Sequence, residues 1–462
     1  MIINQLMNTL EEGHVAIVAI EGDIPAWLNG RFISNGPGQF QVGNTQFKHW
    51  FDGFALLKSF SFKEGHVEVN AKYLKSLQYT KSNKRGELFL SEFGTSNRGI
   101  TGVMRNLLYA SKYDNTNINI VQVEQGKLIA MTETANVVVF EKVSLDTMAI
   151  EKYTKAFTFH VSTAHPIRDY KRNTLVNVSI RFGYKNQYKI LETDLSTGKC
   201  ECIARYYSKI PFYMHSFAMT ENYVILYQTP VIISTRKALS PWRPIIDAMD
   251  IKPELGSKVI VINRNNGESS TFTTETFYCF HSSNAYEKNN DIILDLITTN
   301  HGDYSIFTLD NMDKRKKFQS SFTRFTINMK KNDLQKNILY SDRIEFPRIN
   351  ESASLTNDYT YSYMCNKSNS SSFFNQILKL NVKTSEVQAW HLDDITVGEP
   401  VFVQNEKNKD DGILMVLLHD AKNNRSGMAI ICSQSLKTIA IVWLSCLFPQ
   451  GLHGQFFHDD EQ

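Results

Sequence analysis

The stretch VIVINRNNGESSTFTTETFYCFHSSNAYE, Val259–Glu287, decides the fold. It opens on a β-branched apolar run, breaks at NRNNG, and resumes as the run SSTFTTE. Two such runs around a Gly/Asn turn read as an antiparallel hairpin. The chain then enters another strand-like run, carrying His281, with no helical pattern between.

The same figure recurs on both sides. Hairpins are predicted at Leu57–Leu74, Val137–Tyr153, Lys189–Arg205, Val259–Glu275, Thr323–Tyr340, Gln376–His391 and Met428–Trp443. Their starts lie 52 to 80 residues apart, room for a four-stranded sheet each. Strand-sized segments fill the gaps, among them Leu175–Phe182, Asp291–Ile297 and Ile413–Leu418. No long stretch keeps a helical period. A β-sandwich would show strands every 8–12 residues or so without this longer repeat. The pattern therefore predicts an all-β, seven-bladed β-propeller, with residues 1–462 as a single domain.

Inner strands of a propeller face a common axis. Four histidines stand where such strands or their approach loops would be: His165, His215, His281 and His453. They are 50, 66 and 172 residues apart, so no one helix or loop gathers them. A lone histidine in a β protein is ordinarily a surface or satisfied core residue. His14, His49, His66, His160, His301, His391, His419 and His458 read that way. The chosen four each stand beside a strand among apolar or small neighbours. Four neutral imidazoles suit a borderline first-row metal. Catalytic zinc ordinarily takes three protein ligands and water. Four histidines that leave octahedral positions open favour Fe(II), one per chain, which can bind O2. A ligating ring also needs a partner on its other nitrogen. Glu133, Glu345 and Glu399 fall in the gaps without a chosen histidine. Without a metal they read as exposed strand-end residues.

Composition narrows the class. Aromatic residues make up 12% of the 462, enough to line an apolar cavity. The net charge of +3 and the lack of an arginine-rich run argue against nucleic acid. Six cysteines without a CxxC in so long a chain suit a reducing, cytoplasmic setting. The N-terminus MIINQLMNTLEEGH lacks the pattern of a signal peptide. The longest apolar run, Ile439–Phe448, is too short for the roughly 20 residues that span a bilayer. The expected protein is soluble or sits on a membrane surface.

The segments GRFISNGPGQF, KHWFDGFALL, LSEFGT, MTETANVV, TAHP, MHSFAMTENYVILYQTPV, FHSSNAYE, EFPRIN, GEPVFV and GLHGQF run from Gly30 to Phe456. Together they resemble the carotenoid cleavage oxygenase family, which includes the β-carotene oxygenases and the retinal pigment epithelium isomerohydrolase. The resemblance implies a seven-bladed propeller with an axial metal site and a loop or helical cap on one face. It implies Fe(II) held by His165, His215, His281 and His453, with Glu133, Glu345 and Glu399 steadying three of the rings. Thr132 matches a threonine on the metal's open side. The implied activity is oxidative scission of a conjugated double bond of a carotenoid or apocarotenoid by O2, giving aldehydes or ketones. Two departures stand out. SNRGITGVMRNLLYAS, residues 96–111, replaces the PDPC-type segment usual in the animal branch, which argues against a retinyl ester isomerohydrolase. Ser34 stands where the family has an arginine before asparagine. A stilbene-cleaving dioxygenase and a non-enzymatic binding propeller are the other readings.

An oily substrate must be taken from lipid. Leu107 and Leu108, and Leu239, Trp242, Ile245 and Ile246, lie in two apolar stretches interleaved with Arg105, Arg236, Lys237 and Arg243. Such a mixture suits peripheral membrane docking, or else a loop that caps the propeller and buries these side chains.

Overall fold

The structure, a computed structural model, describes residues 7–97, 99–124, 126–309, 319–368, 373–405 and 411–459. All seven predicted hairpins form. They are Phe54–Lys63 with His66–Tyr73, Asn136–Glu141 with Thr147–Lys152, and Asn186–Asp194 with Cys200–Ser208. Ser257–Asn263 pairs with Ser269–Thr274, and Ser320–Asn328 with Asp333–Asp342. Gln376–Asn381 pairs with Val387–His391, and Arg425–Cys432 with Thr438–Leu444. Each belongs to one antiparallel sheet of at least four strands, and the seven sheets are the blades of a β-propeller.

Burial grades across each blade. In the seventh, every residue of Gly412–Asp420 is buried, and that strand reads as an apolar run up to His419 and Asp420. The outermost strand of the second, Thr147–Lys152, alternates toward solvent. This gradient follows from packing each sheet between two others. The core is correspondingly a ring of interfaces. Ile33, Leu57, Leu128 and Val138 join blades one and two, for example, and Leu226, Ile260, Val178 and Ile190 join three and four.

The hairpin turns show how the repeat tolerates varied sequence. Each turn carries a left-handed residue: Gly65, Leu145, Gly198, Gly267, Asn332, Ser385 and Leu436. Glycine is at home there, but leucine is not, at a cost of roughly 1–2 kcal/mol. Leu145 and Leu436 are 2% and 7% exposed, packed in the interfaces between blades. Burying a leucine is worth about 1.5–3 kcal/mol, which offsets the strain.

Two features escaped the sequence pattern. The ring is closed by both ends of the chain. Gly454–His458 is the innermost strand of the first blade, paired with Gly30–Ser34. Ile17–Gly22 adds an outermost strand to the seventh, on Thr438–Leu444. Two helices, Leu77–Arg85 and Gly99–Tyr109, also interrupt the β pattern between blades one and two. The second of these meets a long insertion in blade four. Asn106 Nδ2 donates to the Pro241 carbonyl at 2.8 Å, and the Ile246 amide donates to the Phe93 carbonyl at 3.0 Å.

Closure depends on a close approach at Gly30, where φ is +139° and an added Cβ would lie 2.4 Å from the Phe457 carbonyl oxygen. Gly30→Ala is expected to lower stability by about 1–3 kcal/mol, read as a reduced urea midpoint. An unchanged midpoint would contradict this closure.

Candidate metal centre

The four histidines come from the inner edges of four blades. His165 lies in the break between Val161–Ser162 and Ile167–Asp169, and His281 lies within Tyr278–Lys288. His215 precedes Ala218–Met219, and His453 precedes the closing strand Gly454–His458. Their potential ligand atoms lie within 4.8 Å of one another. His165 Nε2 and His215 Nε2 are 3.0 Å apart.

Three carboxylates orient three of these rings. His215 Nδ1 meets Glu133 Oε1 at 2.6 Å, and His281 Nδ1 meets Glu345 Oε2 at 2.7 Å. His453 Nδ1 meets Glu399 Oε1 at 3.0 Å. A carboxylate can only accept, so each ring carries its proton on Nδ1 and leaves Nε2 bare. Glu345 lies in the innermost strand of blade six, Ile344–Arg348, and Glu399 in the break between Thr396–Val397 and Val401–Gln404 of blade seven. Glu133 is placed differently. It sits on the turn between the second and third strands of blade two, after Lys127–Met131.

The donors fit a metal ion. His281 Nε2 is buried and has no hydrogen-bond partner. An ion with bonds of about 2.1 Å sets neighbouring ligand nitrogens about 3 Å apart, as for His165 and His215. Burial, then the crowding of the other three rings and Arg348, holds His165 well below the usual histidine range, hence neutral. Burial would raise the Glu399 carboxyl, but Arg348, His453 and the Gly454 amide together hold it at about 2.

Sequence reasoning passed over three neighbours. Arg348 places its Nε 3.6 Å from Glu399 Oε1 and donates through Nη2 to the Gly454 carbonyl at 2.6 Å. The Tyr213 hydroxyl donates to Glu133 Oε1 at 2.7 Å. Phe346 packs on the rings of His281 and His453, with centroids 5.4 and 5.3 Å apart. Its φ of +55° is unusual for so bulky a residue. Arg348 and Phe346 lie in EFPRIN and Tyr213 two residues before His215, so adjacency was their one signal.

A cavity of about 1030 Å³ runs up to the rings of His215, His281 and His453. Phe51, Phe93, Phe280, Tyr304 and Phe307 form an aromatic wall, and Thr132 is also on its lining. Leu107, Leu239 and Ile245 lie at its outer end.

The family model described as retinal pigment epithelial membrane protein matches residues 6–458. The chain belongs to that family. It is 26% identical to the mitochondrial carotenoid-cleaving dioxygenase of Homo sapiens, over 98% of this chain and 90% of that one. It is 26% identical to the beta,beta-carotene 15,15'-dioxygenase of Gallus gallus, over 96% and 95%. Among solved structures, cobalt-substituted Synechocystis apocarotenoid oxygenase superposes with a TM-score of 0.86 at 25% identity, over 98% of both chains.

The outer face of this family member is apolar where the two insertions meet. Leu107, Leu108, Leu239, Trp242 and Ile245 are exposed, while Ile246 is half-buried. Arg236 and Arg243 are exposed beside them. Arg105 is not one of these surface cations, because it is buried and donates to Glu87 Oε1 at 2.7 Å. Among the described residues no helix is long and apolar enough to cross a membrane.

One histidine departs from expectation. His419 is neither on the surface nor satisfied: its buried Nε2 has no hydrogen-bond partner. It lines a space of about 10 Å³ with Ser34 and Glu399. Nearby Lys58 is fully buried, donates to the Pro449 carbonyl at 2.9 Å, and is pushed down by burial to about 7. Burial, then the charge of Lys58, pushes His419 down to about 3.

Unfolded, Lys58 keeps its proton up to its ordinary 10.5, and folded it loses it above about 7. The unfolded chain thus binds more protons between these values, and the Lys58 contribution rises with pH across that window. Lys58→Met is expected to raise the urea midpoint at pH 7, with the gain over wild type shrinking toward pH 10. A gain that stays constant with pH would rule out a buried amine.

Proposed function

We propose that this chain is a non-haem Fe(II) dioxygenase that cleaves a conjugated double bond of a carotenoid or apocarotenoid. In that reaction the C=C bond breaks and each carbon takes one atom of O2, so an alkene becomes two aldehydes or ketones. One observation carries the reading: bare imidazole nitrogens converge at the inner end of a large, mostly apolar cavity. His165, His215, His281 and His453 would hold one iron per chain, and Glu133, Glu345 and Glu399 would hold the rings of the last three. Ferrous iron there supplies O2 binding and the electron exchange that side chains lack.

The rest of the work falls to the protein's own residues. The cavity is at the upper end of the usual range of roughly 300–1,000 Å³ for small-molecule sites, which suits a long polyene. Its apolar walls exclude water, and their shape sets which double bond lies beside the rings. Ring faces of Phe51, Phe307 and Phe280 favour positive charge developing on the polyene. Thr132, buried on the lining, is the residue we assign to the oxygen side. Each glutamate keeps the Nδ1 proton of its ring in place, so His215, His281 and His453 present Nε2 as neutral donors.

Residues 1–462 act in this reading as one domain, with the helical and loop insertions as a cap over the cavity. The six cysteines are free thiols, in keeping with a cytoplasmic protein. Substrate enters from a membrane that the cap touches, because the exposed side chains lie where the cavity opens. Leu239 is 81% exposed, Leu108 67% and Trp242 63%. Exposed leucine and tryptophan among cations favour shallow insertion into anionic lipid.

Anaerobically iron-loaded protein should convert β-carotene or an apocarotenal, but not resveratrol, to carbonyl products identified by mass. Under ¹⁸O₂ each product carbonyl should carry the label, allowing for exchange with water. Products formed without O2, or none from either polyene, would overturn the assignment. For docking, the triple change Leu107→Ser, Leu108→Ser, Trp242→Ser should cut binding to anionic liposomes at least tenfold while iron content is unchanged. Equal partitioning of variant and wild type would sink the docking surface.

A further inference from the structure

Charge accounting around the centre singles out Arg348. A divalent ion with neutral imidazoles and three carboxylates carries a net charge of −1. In a largely buried site an unbalanced charge is costly, and it biases the ion toward its higher oxidation state. Arg348 stands where it can restore balance. Its Nε is 3.6 Å from Glu399 Oε1, whose side chain is 4% exposed. Its Nη2 donates to the carbonyl of Gly454, the residue after His453, at 2.6 Å. Its charge is also felt by His165, the ring without a glutamate. Its other partner, Glu351, receives Nη1 at 3.0 Å from the solvent side, where its side chain is 36% exposed and screened.

We propose that Arg348 is a positioning residue that makes the metal centre electrically neutral and so sets its ferric/ferrous potential. The inference rests on the iron reading above. The guanidinium acts through Glu399 and Gly454 and has no contact with substrate. Its Nη2 bond holds the backbone beside His453, while its charge lies against the carboxylate that holds that ring. The same charge keeps the ferrous state favoured, the state competent to take up O2.

The test is an anaerobic redox titration of the iron-loaded full chain, followed by the paramagnetic resonance of the ferric ion. Arg348→Met should lower the potential by at least the 59 mV that corresponds to a tenfold change in a one-electron equilibrium. Arg348→Lys, which keeps the charge but not the guanidinium, should stay closer to wild type. Adding Glu399→Gln to Arg348→Met removes one negative charge and should bring the potential back up. A merely structural arginine predicts no such recovery. Iron bound with an unmoved potential in Arg348→Met, or no recovery in the double variant, overturns the inference. Should Arg348→Met fail to hold iron, recovered iron content in the double variant supports charge balance, and its absence overturns it. A wild-type chain that takes up no iron removes the proposed function itself, and this inference with it.

Discussion

The hydrogen bond from an imidazole Nδ1–H to a buried carboxylate is the interaction on which the centre depends. It recurs three times, at Glu133, Glu345 and Glu399. Because a carboxylate has no proton to give, the bond fixes the tautomer and aims a lone pair at the axis. The bond in turn needs an architecture that delivers histidine and glutamate from different blades. His453 shows how strict this is. It reaches the axis because the C-terminal strand crosses into the first blade and becomes its innermost strand. Its partner Glu399 sits in the seventh blade, so this one pair spans the seam where the ring closes.

Stability and function press against each other at that seam. Four neutral rings, three acids and an arginine occupy space that a smaller protein would fill with leucine. Burying them unpaired would cost several kcal/mol each. The apolar ring of interfaces carries the fold, and the buried polar groups elsewhere are held in pairs such as Arg264 with Asp169 and Arg324 with Asp295. Strain collects in the same place. Phe346 adopts a left-handed backbone between Glu345 and Pro347, and its ring packs on two of the histidines. Held by its neighbours on both sides, such a residue limits how far those two rings can turn.

How legible was this in the sequence? The outer hairpins could be read because each joins two strand-length runs around a polar turn, where turn chemistry shows. The inner strands could not. Val161–Ser162 and Ala218–Met219 have two residues each, too short for any period. The histidines were found by their company and by a family resemblance that spans the chain, not by the strands that carry them. Glu133 stood out only as an acid ahead of the second hairpin, and its place on a turn between strands beside His215 had no local signal. Closure by both termini left no trace, since pairing between residues more than 400 apart has no local signature. Arg348 and Tyr213 were invisible for another reason. Their importance lies in which carboxylate they touch, and that is a property of the folded chain.

The two insertions place their side chains against the usual preference. At the meeting of the two insertions, Leu107, Leu108, Leu239 and Trp242 face out, while Arg105 turns inward to Glu87. Water alone would favour the opposite arrangement. Leu107 and Leu239 of this surface also line the cavity that leads to the histidines. An apolar rim continuous with an apolar passage would let the polyene proposed above pass from lipid toward the rings without crossing water, the one solvent it cannot use.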